Sequence, residues 1–254
     1  MSRVLGVAGL LVALTGLESF ANAQVPSYSI ADLGTLGGAT SRGYGVNARG
    51  QVTGEAVTAG GAFHAFLYTP GSGMSDLGTL GGGSSTAYAI NASGQVTGAA
   101  VTASGAIHAF LHTPEGGISD LGTLGGGESK GYGINARGQV TGEAVTAGGA
   151  FHAFLYTPGS GMSDLGTLGG GSSTAYAINA SGQVTGVAMT SDGKHHAFLF
   201  SNGLMRDLNT AIDPAVAAHV VLESGKGIND GGWIIANGVD SRTGDTHAYL
   251  LSTE

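Results

Sequence analysis

The chain has 254 residues, 49 of them glycine, no cysteine, and a formal net charge of −8 with only 9 lysines and arginines. Without thiols it can hold neither disulfides nor thiolate metal sites, and without a basic stripe it is poorly suited to nucleic-acid phosphates or an anionic membrane surface. Glycine without a G-X-Y period excludes collagen, and 42% hydrophobic content excludes a disordered chain, so the glycines punctuate a regular fold.

Residues 1–23 read as a secretory signal peptide. Arg3 supplies the positive start, Val4 to Leu17 an apolar stretch, and Ala21-Asn22-Ala23 an A-x-A cleavage signal. Cleavage before Gln24 leaves residues 24–254 as one domain, secreted or periplasmic. The apolar stretch is too short to span a bilayer, and no second run of about 20 apolar residues follows, so no membrane span is expected.

A repeat follows. Asp-Leu-Gly-Thr-Leu starts at Asp32, Asp76, Asp120 and Asp164, each 44 residues after the last, and Asp207-Leu208-Asn209-Thr210 comes one residue early. His-Ala-Phe starts at His64, His108, His152 and His196, with His247-Ala248-Tyr249 as the variant. An Ile/Val-Asn step ends at Asn47, Asn91, Asn135, Asn179 and Asn229. Three co-periodic markers at this spacing point to propeller blades.

Each unit holds four short strands. In the first, strand a is Tyr44 to Asn47, then an Asn47-Ala48-Arg49-Gly50 turn. Strand b starts at Gln51 and breaks at Thr58-Ala59-Gly60-Gly61. Strand c is Phe63 to Thr69, Pro70-Gly71-Ser72-Gly73 turns, and strand d is Met74 to Leu80. Gly81-Gly82-Gly83-Ser84 connects to the next unit. A hairpin centred on Gly71-Ser72 sets Leu77 opposite Phe66 and Thr79 opposite His64. Only Ala215 to Val221 hints at helix.

The units are 44–87, 88–131, 132–175, 176–210 and 226–251, the last without a strand d. Residues 28–36 form an orphan strand d ahead of the first strand a. The expected fold is therefore all-β: a five-bladed propeller of about 44-residue four-stranded repeats, its last blade closed by the N-terminal strand. An open β-solenoid is the alternative, and its end units would need polar caps.

His-Ala-Phe, Ile-Asn-x-x-Gly-Gln-Val-Thr-Gly and Asp-Leu-Gly-Thr-Leu-Gly-Gly resemble the extracellular HAF-repeat family. The likeness covers Ile30 to about Leu251 and departs in the last unit, where Gly232-Trp233-Ile234-Ile235-Ala236 replaces Gly-Gln-Val-Thr-Gly and Tyr249 replaces phenylalanine. It implies an exported bacterial repeat protein and assigns no activity.

No catalytic site is legible. Histidine is a common metal ligand and general base, but strand c lies about two strand spacings, ~10 Å, outside strand a. Histidines on neighbouring blades are then too far apart to share a metal. A repeated structural hydrogen bond, to the Thr79-type hydroxyl, fits them better. The aspartate column reads as turn or edge groups. His195 and Trp233 read as surface decoration and packing. A glycoside hydrolase needs a singular carboxylate pair, and the innermost strands carry neither Asp nor Glu. No P-loop or nucleophile elbow is present.

Residues 44–98 and 132–186 differ only at Val46 against Ile134, so an 88-residue double unit has been copied. Near-identical surfaces suit multivalent binding. The reading is a non-catalytic exported binding or structural scaffold, a monomer without cofactor or metal, meeting an extracellular glycan or protein. A five-bladed lectin-like carbohydrate binder is the alternative, and a propeller glycoside hydrolase a weaker one. The candidate ligand residues, placed on d–a loops beside the Thr58 to Gly61 type b–c loops, are Arg42, Ser84, Thr86, Lys130, Ser172 and Thr174. An enzyme would have to use the atypical connection 209–230, with Asp213, His219, Glu223 and Asp230.

Overall fold

The computed structural model describes residues 27–252, so the expected signal segment 1–23 and the cleavage point before Gln24 lie outside the described residues. The chain divides into residues 1–32 and 33–254, and the fold below is that of the second unit.

Four antiparallel sheets have four strands each and the fifth has three. Sheet one is β1 (Gly37–Val46), β2 (Val52–Thr58), β3 (Phe63–Thr69) and β4 (Gly73–Gly78). Sheet two is β5 (Gly81–Ile90), β6 (Val96–Thr102), β7 (Ile107–Thr113) and β8 (Gly117–Asp120). Sheet three is β9 (Gly125–Ile134), β10 (Val140–Thr146), β11 (Phe151–Thr157) and β12 (Gly161–Asp164). Sheet four is β13 (Gly169–Ile178), β14 (Val184–Thr190), β15 (His195–Ser201) and β16 (Leu204–Asp207). A 3₁₀ turn at Leu208–Thr210 and the one-turn helix α1 (Pro214–Ala217) lead to sheet five: β17 (Val220–Ile228), β18 (Ile234–Asp240) and β19 (Asp245–Leu251).

Two expectations are corrected. The first concerns the glycine run after strand d, which is not a loop but the first half of strand a: β5 begins at Gly81, not near Tyr88. Glycine is required there because the strands run so close. A Cβ on Gly82 would stand 2.5 Å from Val101 Cγ1, and a β-bulge between Gly81 and Ser85 bends the strand into this approach. The second concerns the c–d hairpin, whose register differs by one residue. Phe66 faces Asp76, not Leu77. The loop is effectively three residues, with Ser72 N–H bonded to Thr69 O and positive φ at Gly71 and Gly73. A one-residue slip moves every partner. His64 Nδ1 therefore meets Asp76 Oδ2 at 2.8 Å, and Thr79 Oγ1 instead donates to Gly82 O.

Consecutive sheets are joined by a repeated polar rivet. Asn91 Oδ1 accepts the Ser93 and Gln95 amides, closing its own turn, and its Nδ2 donates to Asn135 O of the next sheet at 2.9 Å. The same inter-sheet bond runs Asn47 to Asn91, Asn135 to Asn179 and Asn179 to Asn229. A second rivet links Ala65 N–H to Ser85 Oγ, and recurs at Ala109–Ser129 and Ala153–Ser173.

Between the rivets lie four apolar cores. Between sheets two and three, Phe154, Val140, Leu111 and Leu121 pack with Met162 of strand d. Ile118 and Met205 hold Met162's place in the two neighbouring cores. Among the described residues the fourth core has no such residue, because sheet five has only three strands. An apolar groove of about 710 Å³ opens there, lined by Leu199, Ile212, Val216, Tyr249 and Leu251. Residues 28–35 carry no strand of their own.

One core residue breaks its column. His112 stands where the other units have Tyr68, Tyr156 and Phe200, and its buried Nδ1 has no hydrogen-bond partner. Burial holds its pKa below the usual imidazole value. An unpaired buried nitrogen costs about 1–3 kcal/mol, so His112→Tyr is expected to raise stability by about 1 kcal/mol in urea titrations. The unfolded imidazole protonates at a higher pH than the folded one, so wild-type stability falls as pH drops through the imidazole range. The variant loses that dependence. A variant no more stable than wild type would refute this reading.

Candidate functional site

The clefts between consecutive sheets hold the polar side chains that sequence reasoning singled out. They lie on the inner strands, not on loops. Arg42 is in β1, Ser84 and Thr86 in β5, Lys130 in β9, and Ser172 and Thr174 in β13, because the glycine runs before them are strand. They do not form one site but are distributed over successive clefts.

One position on strand a and its partner on strand b decide what fills each cleft. The pairs are Arg42–Glu55, Thr86–Ala99, Lys130–Glu143, Thr174–Val187 and Ser224–Asn237. Glu55 crosses from sheet one to sheet two: it accepts from Arg42 Nη1 at 2.8 Å, Tyr44 Oη at 2.9 Å and Thr86 Oγ1 at 2.9 Å. Burial raises the Glu55 pKa, but the three donors together outweigh it and hold the carboxyl below its usual value. Glu143 repeats the arrangement between sheets three and four, with Tyr132, Thr174 and Lys130. These two clefts are plugged by their own carboxylates.

The other two clefts have no carboxylate at that position. Between sheets two and three, Ala99 and Lys130 line a cleft of about 120 Å³, and Lys130 Nζ is paired with Glu143 of its own sheet at 3.5 Å. Between sheets four and five, both facing residues are short, Val187 and Ser224, and a cleft of about 450 Å³ remains. Its lining includes Ser172, Tyr176, Val187, Met189, His195 and Glu223. Among the described residues, no hydrogen bond engages the hydroxyls of Ser172 and Tyr176 or the carboxylate of Glu223.

A tyrosine series runs along the inner strands. Tyr44, Tyr88, Tyr132 and Tyr176 have ring centroids 6.3, 5.6 and 6.4 Å apart, and Lys226 Nζ caps the last ring at 4.1 Å from its centroid. Burial raises the pKa of Tyr88, Tyr132 and Tyr176, so they stay neutral hydroxyl groups.

The marker histidines are committed elsewhere. His108, His152 and His196 bond Asp120, Asp164 and Asp207 through Nδ1, as His64 bonds Asp76. Each aspartate also accepts a backbone amide two residues on. The partner is thus aspartate, not the expected Thr79-type hydroxyl. His247 stacks on Tyr249 instead. In the 209–230 connection, Asp213 caps α1, Asp230 accepts the Ala180 amide, and Glu223 faces the large cleft.

Sequence reasoning missed Glu55, Glu143 and Val187. The signal was present: Glu55, Ala99, Glu143 and Val187 stand at 44-residue spacing in otherwise near-identical units.

Successive antiparallel sheets of this size, each built from one repeat, define the β-propeller class. The particular likeness is to the putative TolB from Agrobacterium tumefaciens, with a TM-score of 0.55 over 84% of this chain and 76% of that chain at 12% identity. TolB from Acinetobacter baumannii matches 84% of this chain and 54% of its own at 11% identity and TM-score 0.48. A gluconolactonase from Xanthomonas campestris matches 84% and 76% at 10% identity and TM-score 0.45. At these identities the first likeness extends to the fold alone, and the other two carry no argument. No protein-family model matches the chain, and no curated protein matches it.

Proposed function

We propose that the chain is a non-catalytic, exported binding scaffold of the HAF-repeat type, processed before Gln24 and monomeric, whose ligand side is the face carrying the inter-sheet clefts. The observation that carries this reading is the occupation of the chemical-looking residues. Four histidines are spent on aspartates, and the two cleft carboxylates are each held by three neighbours. Glu55 and Glu143 lie in different clefts, each bonded by its own neighbours, which argues against the free carboxylate pair that glycoside hydrolysis requires. The lectin-like alternative is favoured by the cleft of about 450 Å³ between sheets four and five, with its polar side chains.

The same proposal includes closure of five blades into a ring, with residues 28–36 as strand d of sheet five. Repeat equivalence supports it. Ile30 stands 44 residues before Met74 and 88 before Ile118, and that place is empty in the fourth core.

The experiment is to apply the mature chain to arrays of polysaccharides and extracellular proteins, and to assay the polysaccharides for released reducing ends. Retention without hydrolysis is expected. Release of reducing ends would overturn the non-catalytic reading, and silence on both arrays would overturn the binding one.

A further inference from the structure

We infer that the cleft between sheets four and five is a saccharide-binding site, the one cleft of the repeat left open for a ligand. This rests on the binding reading above and assigns it a place and a ligand chemistry.

The cleft is open because of two substitutions against the repeat. In two other clefts one wall sends a carboxylate across, Glu55 to Thr86 and Glu143 to Thr174, and Lys130, paired with Glu143 of its own sheet, lines the narrow cleft between sheets two and three. Here the facing residues are Val187 and Ser224, and neither reaches the other wall. The resulting volume of about 450 Å³ lies within the range of about 300–1,000 Å³ usual for small-ligand sites. The cleft of about 120 Å³ between sheets two and three does not.

The lining gives the chemistry. Val187 and Met189, on one face of β14, make an apolar wall. Opposite and beside it stand hydroxyls of Ser172, Tyr176 and Ser224, the imidazole of His195 and the carboxylate of Glu223. A pyranose ring presents C–H groups on its faces and hydroxyls around its rim. The apolar wall suits the faces, and a carboxylate accepts strong charge-assisted bonds from neighbouring hydroxyls. An anionic ligand fits poorly, since the Glu223 carboxylate lines the cleft and the Lys226 ammonium is stacked on the Tyr176 ring. A neutral oligosaccharide is therefore the ligand class.

The test closes the cleft in the two ways the chain itself uses. Val187→Glu reproduces the residue at Glu143, with Ser224 supplying the hydroxyl that Thr174 supplies there. Ser224→Lys sets at the equivalent position the long side chain that Lys130 contributes to the lining of the narrow cleft. Isothermal titration with unsubstituted hexose oligosaccharides should show saturable binding to the mature wild type. Each variant should lose at least about tenfold in affinity while keeping the wild-type circular dichroism. If one variant fails to fold, the other carries the test from the opposite wall. Unchanged binding by a folded variant would overturn the site while leaving the scaffold reading intact. Absence of neutral oligosaccharide binding by a wild type that is still retained on a protein array would do the same. Retention on neither array is the failure of the scaffold reading itself.

Discussion

Replacing Asn135 with alanine is expected to cost about 3 kcal/mol in chemical denaturation. The side chain is only 5% exposed and makes four hydrogen bonds. Its oxygen accepts the Arg137 and Gln139 amides, and its nitrogen donates to Gln139 Oε1 and to Asn179 O of the next sheet. Alanine leaves several of these partners desolvated and unpaired, at about 1–3 kcal/mol each before relaxation. Asn229→Ala is the internal control. Its side chain caps only its own turn, through the Trp233 amide, and makes no bond to a further sheet among the described residues. It should cost about 1 kcal/mol. Equal costs at the two positions would show that the inter-sheet bond contributes nothing.

The second large effect concerns Ile30. Ile30 lies in the segment proposed as strand d of sheet five. If the segment seats as strand d of sheet five, Ile30 takes the place of Met162 against Tyr156 and of Met205 against Phe200. Its partner is then Leu251, and its side chain fills part of the groove of about 710 Å³ beside that residue. Removing a buried isoleucine side chain costs about 2–5 kcal/mol. Ile30→Ala is thus expected to destabilise the mature chain by about 3 kcal/mol. The Val216→Ala variant, in the surface connection, should cost much less. A silent Ile30→Ala would remove the closed ring.

Much of the architecture was legible because the repeat reports it several times over. The Asn47 and His64 columns marked strand ends correctly, since each carries a fixed local hydrogen-bond pattern. The register of the c–d hairpin was not legible. It turns on positive φ at both Gly71 and Gly73, and Pro70-Gly71-Ser72-Gly73 is compatible with a two- or a three-residue loop. Nor was the true start of strand a: Gly81 to Gly83 have turn composition, and only the close approach of Val101 shows why glycine is needed in a strand. The candidate residues Ser172 and Thr174 were picked for polarity and do line the wide cleft, yet Thr174 is bonded to Glu143. The informative residue was the apolar one, Val187. It matters for what it leaves unfilled, and a search for chemistry-bearing side chains passes over it.

The architecture is tested most directly by hydrogen exchange at the Leu250 amide of β19 in the mature chain. Leu250 is 66% exposed in the three-stranded sheet, while its counterparts Leu155 and Leu199 pair with strand d. Closure by residues 28–36 predicts that this amide exchanges as slowly as that of Leu155, and that Ile30→Ala speeds it. Exchange at the rate of a free strand edge, unchanged by the substitution, would contradict the closed five-bladed ring.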